Sequence, residues 1–197
     1  MGEEKGPDFY TGKGYMKDGA FEKNLPIYEA AVNLLPSPSW CPLVIDIGCG
    51  IGYFAKVLEE KKYEKYLGVD FSNKVINIAK IQTINDDYKY ICRNILSDDC
   101  DFIFQQTGVI FTLLETLEHI EDDLSVIKKI QPNNKIIISV PNRDFISHVR
   151  HFKKISDVID RYDSLIKFDK FSEINTNPNK NAKVFILKGI RRCEKRG

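Results

Sequence analysis

Short apolar runs and amphipathic stretches alternate along most of this chain. Runs at 43–47, 65–70, 88–93, 107–114 and 135–140 read as strands. Between them, apolar residues recur at helical spacing over 51–62, 72–83 and 121–130, and an earlier helix over 21–35 stops before Pro36-Ser37-Pro38. After Pro141-Asn142 the pattern predicts one helix from Phe145 to Tyr162. Two closing strands, 165–173 and 183–190, then flank the turn-rich NTNPNKN. Residues 1–20 show no period and read as an irregular arm, leaving 21–197 as a single domain. Alternation of this kind implies a mostly parallel α/β sheet with helices on both faces and an antiparallel C-terminal edge.

In such sheets ligands bind beyond the carboxyl ends of the strands. Those ends carry Asp46, Asp70, Arg93-Asn94, Leu114-Glu115 and Pro141-Asn142. The first end is the most informative, because VIDIGCGIG places glycines at 48, 50 and 52 between a strand and a helix. Glycine allows the sharp turn and the close approach of a ligand, and the following helix offers free N–H groups. Asp70, roughly 20 residues further on, stands where an acid accepts hydrogen bonds from a ribose diol.

Two details discriminate among adenosine cofactors. Tyr53 stands where the dinucleotide fingerprint requires its third glycine. Asp46 lies close to where a pyrophosphate would rest and would repel it. An acid there suits a ligand with an ammonium group and a sulfonium, as in S-adenosylmethionine.

With these motifs in view, the chain resembles the class I S-adenosylmethionine-dependent methyltransferases, and within them the ubiquinone-type small-molecule group. VIDIGCGIG resembles the family's first motif and GVDFS its second; Ile110 to Ile120 with KIIISVPN resembles its fourth and fifth strands. The resemblance implies a Rossmann-like doubly wound sheet of seven strands. It also implies cofactor contacts from Asp46, Gly48, Cys49, Gly50, Gly52, Asp70, Phe71, Asn94 and Leu114, with S-adenosylhomocysteine as product. Asn94 stands where the family often has an acid for the adenine amino group.

Methyl transfer needs a nucleophile held in line and, where that nucleophile carries a proton, a base. All three histidines lie late, His119 after the fourth strand and His148 and His151 after the fifth. In ETLEHIED, Glu115, Glu118 and His119 fall on one side of a helical turn. Three readings stay open. The acids favour the next helix N-terminus while His119 caps the turn; or His119 is the general base, with Glu115 beside it; or the three join a later histidine to hold a divalent metal, as in the small-RNA 2′-O-methyltransferases with their E-x-x-E-H arrangement. The site is expected to work without a metal.

SVPNRDFISHVRHFKK gathers Arg143, His148, Arg150 and further bases into a stretch expected to form a substrate lid within 141–163, suited to an anionic acceptor. A solvated helix face is the plainer reading of such a run. Phe9, Tyr10 and Tyr15 in the arm either close over the site or pack under the first helix, and packing is the expectation. Tyr53 and Phe54 are expected in the core.

Composition narrows the setting. A net charge of +1 supplies no global field toward nucleic acid or an anionic membrane. No run approaches a membrane span, the N-terminus lacks a signal-peptide layout, and five scattered cysteines suggest a reducing cytoplasm. The expected protein is a cytoplasmic methyltransferase acting on an oxygen or nitrogen of a small molecule. The alternatives are an RNA or protein acceptor, or a cofactor-binding subunit without catalysis of its own.

Overall fold

A computed structural model describes residues 2–11 and 19–193. Strands β1 (Val44–Ile47), β2 (Tyr66–Asp70), β3 (Tyr88–Cys92), β4 (Ile110–Leu114), β5 (Lys135–Pro141), β6 (Ile166–Asn177) and β7 (Ala182–Arg191) form one sheet. Its order is β3-β2-β1-β4-β5-β7-β6. The first five strands pair in parallel, whereas β7 runs antiparallel to both β5 and β6. The expected doubly wound sheet with an antiparallel C-terminal edge is therefore present.

Helices divide cleanly between the two faces. α1 (Ala20–Val32), α2 (Tyr53–Glu60) and α3 (Asn73–Gln82) bury Ile27, Phe54 and Ile76 against one face. α4 (Asp101–Phe104), α5 (Asp123–Lys129) and α6 (Ile155–Tyr162) bury Phe104, Ile127 and Val158 against the other. Inner strands serve both cores. In β5, Ile136, Ile138 and Val140 enter the second core and Ile137 the first, which is why β5 reads as an unbroken apolar run.

Strand order reverses at β1, with β2 on one side and β4 on the other. The chain leaves these two neighbours in opposite directions, so a crevice opens at their carboxyl ends. Thr116, just past β4, closes the base of that crevice by donating its hydroxyl toward the carbonyls of Ile47 and Leu114. Gly48 permits the approach, since a Cβ there would lie 2.5 Å from the Thr116 Oγ1, and its φ of 74° is left-handed. Gly48→Ala is expected to cost about 2–4 kcal/mol from backbone strain and crowding together. A urea-denaturation midpoint checks this.

One expected element is corrected. Residues 142–154 form no helix, and the α-helix begins only at Ile155. The segment instead makes hydrogen bonds to distant backbone, described below, which satisfy the groups a helix would have paired. Strand β4 also starts at Ile110 rather than 107, because Gly108 turns the chain with a φ of 70°.

Candidate active site

A cavity of about 710 Å³ occupies the crevice. Its floor is the glycine loop. Gly48 and Cys49 donate their amides to the Val69 carbonyl, which fixes the loop to β2. Asp70 at the tip of β2 accepts from the amides of Gly50 (3.1 Å) and Ser72 (2.9 Å), one on each carboxylate oxygen. Each oxygen keeps a further lone pair, and Asp70 lines the cavity. Gly48, Cys49, Gly50, Phe71, Asn94 and Leu114 line it too, with Ile95 and Leu96 adding apolar wall.

Asp46 and Gly52 differ from expectation, for neither lines the cavity. Asp46 is 2% exposed, and its two oxygens accept from Tyr66 Oη and Thr112 Oγ1, each at 2.7 Å. Burial raises its pKa to about 6, opposed by those two donors. It anchors three neighbouring strands and offers no free contact to a ligand. Gly52 begins α2 with a φ of 88°, and a Cβ there would press on Ala79 and the Tyr90 hydroxyl. Its role is helix packing.

The arm roofs the cavity rather than packing under α1. Gly2 and Glu3 donate their amides to the carbonyls of His148 and Ile146, and the Glu4 carboxylate accepts from the Glu121 amide. Phe9 and Tyr10 line the cavity, and the Tyr10 ring meets Phe71 and His119 edge-on, at 5.7 and 5.5 Å between centroids. Tyr15 lies outside the described residues. Phe54 is in the core as expected, whereas Tyr53 lines the cavity and packs on Phe21. Nothing in the arm's sequence period announced the Tyr10 contact.

The same cavity is lined by a group of titratable side chains, Glu115, Glu118, His119 and His148. Glu115 has a φ of 51°, a strained conformation for a non-glycine residue. Ser139 holds it there. Its carbonyl and hydroxyl both accept from the Glu115 amide, and the hydroxyl also reaches the Glu115 carboxylate at 2.9 Å. Burial pushes the Glu115 carboxyl up to about 7, against the pull of Ser139, Arg143 and Lys23. Sequence reasoning did not single out Ser139, whose alternation in β5 looks like any strand position.

A 3-10 turn over Leu117–His119 presents the next two groups. His119 Nδ1 lies 3.0 Å from the Ser147 carbonyl, and His148 Nδ1 lies 3.0 Å from the Arg143 carbonyl. A carbonyl only accepts, so both rings carry their proton on Nδ1 and leave Nε2 with its lone pair. Burial holds His119 down to about 4 and lowers His148 as well, so both rings are neutral at pH 7. The rings are 4.8 Å apart between centroids.

Glu118 faces this pair. It is fully buried, and neither carboxylate oxygen has a hydrogen-bond partner among the described residues. Burial and the neighbouring Glu115 raise its pKa well above the usual range. Ligand atoms of Glu118, His119 and His148 all lie within 4.8 Å of one another. Two neutral imidazoles, each oriented by a backbone carbonyl, beside an unpaired carboxylate form a donor set suited to a divalent cation.

Of the three substrate candidates, Arg143 and His148 line the cavity and Arg150 does not. The Arg150 guanidinium turns away to the carbonyls of Leu117, Ile120 and Glu121. It is a strut behind the site: it supplies donors to the Ile120 and Glu121 carbonyls and adds a second donor to the Leu117 carbonyl, which already accepts the Ile120 amide at 3.4 Å.

Comparison with known proteins agrees with this geometry. Residues 42–169 match a family model described as a methyltransferase domain, and the chain belongs to that family. The ubiquinone biosynthesis O-methyltransferase of Hydrogenovibrio crunogenus is 27% identical over 110 residues, covering 54% of this chain and 45% of that protein. This chain thus spans about half the length of the curated relatives it matches.

Among solved structures, the fold matches the putative methyltransferase bound to the Trm112 methyltransferase activator of Haloferax volcanii. The TM-score is 0.77 at 13% identity, covering 97% of this chain and 99% of that one. It also matches the N-methyltransferase NodS of Bradyrhizobium japonicum, solved with S-adenosyl-L-homocysteine. There the TM-score is 0.65 at 16% identity, over 89% and 90% of the two chains. The chain thus carries a methyltransferase domain. Among the described residues, no helix is long and apolar enough to cross a membrane.

Proposed function

We propose that this domain transfers the methyl group of S-adenosylmethionine to an oxygen or nitrogen of a small molecule, in the cytoplasm. One observation carries the reading. A single cavity joins the Asp70 and glycine-loop floor to a neutral imidazole at His119, under the roof made by the arm. A partly roofed cleft of about 710 Å³ suits a compact acceptor better than a strand of nucleic acid. The relatives named for ubiquinone O-methylation point the same way.

In this reading Asp70 accepts from the ribose hydroxyls, Phe71, Ile95 and Leu96 border the base, and the loop amides face the methionine end. The acceptor lies between the methyl group and His119. A bond forms from acceptor to methyl carbon as the carbon–sulfur bond breaks. The acceptor proton passes to His119 Nε2, whose lone pair the Ser147 carbonyl keeps available.

The unpaired Glu118 favours a second reading of the same centre, in which Glu118, His119 and His148 hold a divalent cation. A cation there would lower the pKa of an acceptor hydroxyl. Arg143 at the cavity edge suits an acidic substituent on the acceptor.

A panel of phenols, dihydroxyarenes, amines, nucleosides, short RNA and peptides, each with methyl-labelled cofactor, tests both readings. Each reaction is run with magnesium, with manganese and with chelator. Label is expected on a small hydroxyl or amine. Label only on RNA or peptide, or none until an activator protein is added, would overturn the small-molecule reading. Equal rates in chelator and in metal would remove the cation.

A further inference from the structure

The four residues Ser147 to Arg150 each engage the site's catalytic turn or its partner imidazole. Ser147 gives its carbonyl to His119 Nδ1. His148 sets its own ring beside His119. Val149 donates its amide to the Glu118 carbonyl at 2.9 Å. Arg150 spreads its guanidinium over the carbonyls of Leu117, Ile120 and Glu121. We propose that Arg150 is a positioning residue, a clamp that fixes the Leu117–His119 turn so that Glu118 and His119 Nε2 face the reacting centre.

Charge neutralisation alone does not account for Arg150. Its acidic neighbour Asp123, 3.2 Å away, is already paired. Both Asp123 oxygens accept from Arg161, at 2.9 and 2.6 Å, and one also accepts from Tyr162 Oη at 2.6 Å. Asp123 lies beside Arg150 Nη1 as a charge contact, while the Nη1 donors go to the Leu117 and Ile120 carbonyls and Nη2 donates to Glu121. The three carbonyls frame the turn before and after Glu118 and His119. A planar fork reaches several carbonyls at once, which a lysine ammonium on a flexible stem does not. Without the clamp the Ile120 and Glu121 carbonyls lose their Arg150 donors and Leu117 keeps only the 3.4 Å bond from the Ile120 amide, so the turn loosens and the Ser147–His119 bond that selects the tautomer weakens with it.

This role rests on His119 being the group that faces the acceptor, but its test reads the imidazole itself and needs no acceptor. The variants are Arg150→Lys and Arg150→Met, with Arg161→Lys as a control that weakens the Asp123 pairing and leaves the clamp. Nitrogen-15 spectra of the histidine rings in chelator report the tautomer, amide exchange reports Val149, and calorimetry reports S-adenosylmethionine affinity. In the wild type and in Arg161→Lys, His119 is expected in a single tautomer with the proton on Nδ1. In both Arg150 variants the tautomers are expected to mix and the Val149 amide to exchange about tenfold faster, while amides of β4 and β5 stay protected. Cofactor affinity is expected to stay within about threefold. If Arg150→Met does not fold, Arg150→Lys carries the test, since it keeps a cation beside Asp123. An unchanged His119 signature and unchanged Val149 exchange in a folded Arg150 variant would overturn the proposal.

Discussion

Alanine in place of His119 is expected to lower kcat by about 10²–10⁴-fold while leaving S-adenosylmethionine affinity nearly unchanged. The side chain stands at the acceptor end of the cavity, and the loop and Asp70 that face the cofactor do not depend on it for any hydrogen bond described. The pH profile separates His119 from Glu115. As a base His119 must be neutral, and burial holds its pKa down to about 4. The rate it limits therefore stays flat from about pH 8 down to about pH 5 and falls only below that. A Glu115 base, held near 7 by burial, would instead lose rate as the pH falls through 7. Steady-state rates across this range in chelator, for wild type and for His119→Ala, check the assignment. A limb near 7 that survives in His119→Ala would transfer the role to Glu115.

Glu118→Gln carries the second large effect, and its sign is unusual for a site residue. Without a cation the buried Glu118 carboxylate has no hydrogen-bond partner among the described residues, and its pKa stands well above the unfolded value. A raised carboxyl binds more protons folded than unfolded. Stability is therefore lost as pH rises from the unfolded pKa through the folded one. Glutamine carries no charge, and its amide can donate toward the bare Nε2 atoms of His119 and His148. The variant is expected to be more stable than wild type in chelator by about 1–3 kcal/mol at pH 8, with a smaller gain near pH 5. If the centre holds a cation, magnesium or manganese stabilises the wild type and not the variant. Thermal melts at the two pH values, with chelator and with metal, decide it. A variant less stable than wild type in chelator at pH 8 would contradict the view of Glu118 as an unpaired buried acid. If the variant is the more stable, function is the reason for keeping a locally costly residue.

Much of the architecture was legible because strand and helix periods follow from burial that each element achieves by itself. β1, β2, β4 and β5 lie in the sheet interior and read as apolar runs; α2 and α3 show one apolar stripe each. The place of Asp70 at a strand tip lining the cavity was legible because an apolar run ending in an acid after a glycine loop marks the carboxyl end of a strand. Asp46 looked equivalent and was not. Tyr66 and Thr112, 20 and 66 residues away, bring hydroxyls onto it. No local pattern announces a partner at that distance.

The segment after β5 failed as a helix for a related reason. Phe145, Val149 and Phe152 have helical spacing, but the Val149 amide and the Ser147 carbonyl are claimed by the turn at Glu118 and His119. Arg150 read as a substrate ligand because charge near a site suggests recognition. Only the fold shows its guanidinium pointing at backbone carbonyls instead.

Calorimetric titration of wild type and Asp70→Ala with S-adenosylmethionine, S-adenosylhomocysteine and NAD tests the central claim most directly. Wild type is expected to bind both adenosyl compounds and not NAD, and Asp70→Ala to weaken both by about tenfold or more through loss of the ribose hydrogen bonds. Binding of NAD without either adenosyl compound, or full affinity in Asp70→Ala, would contradict it.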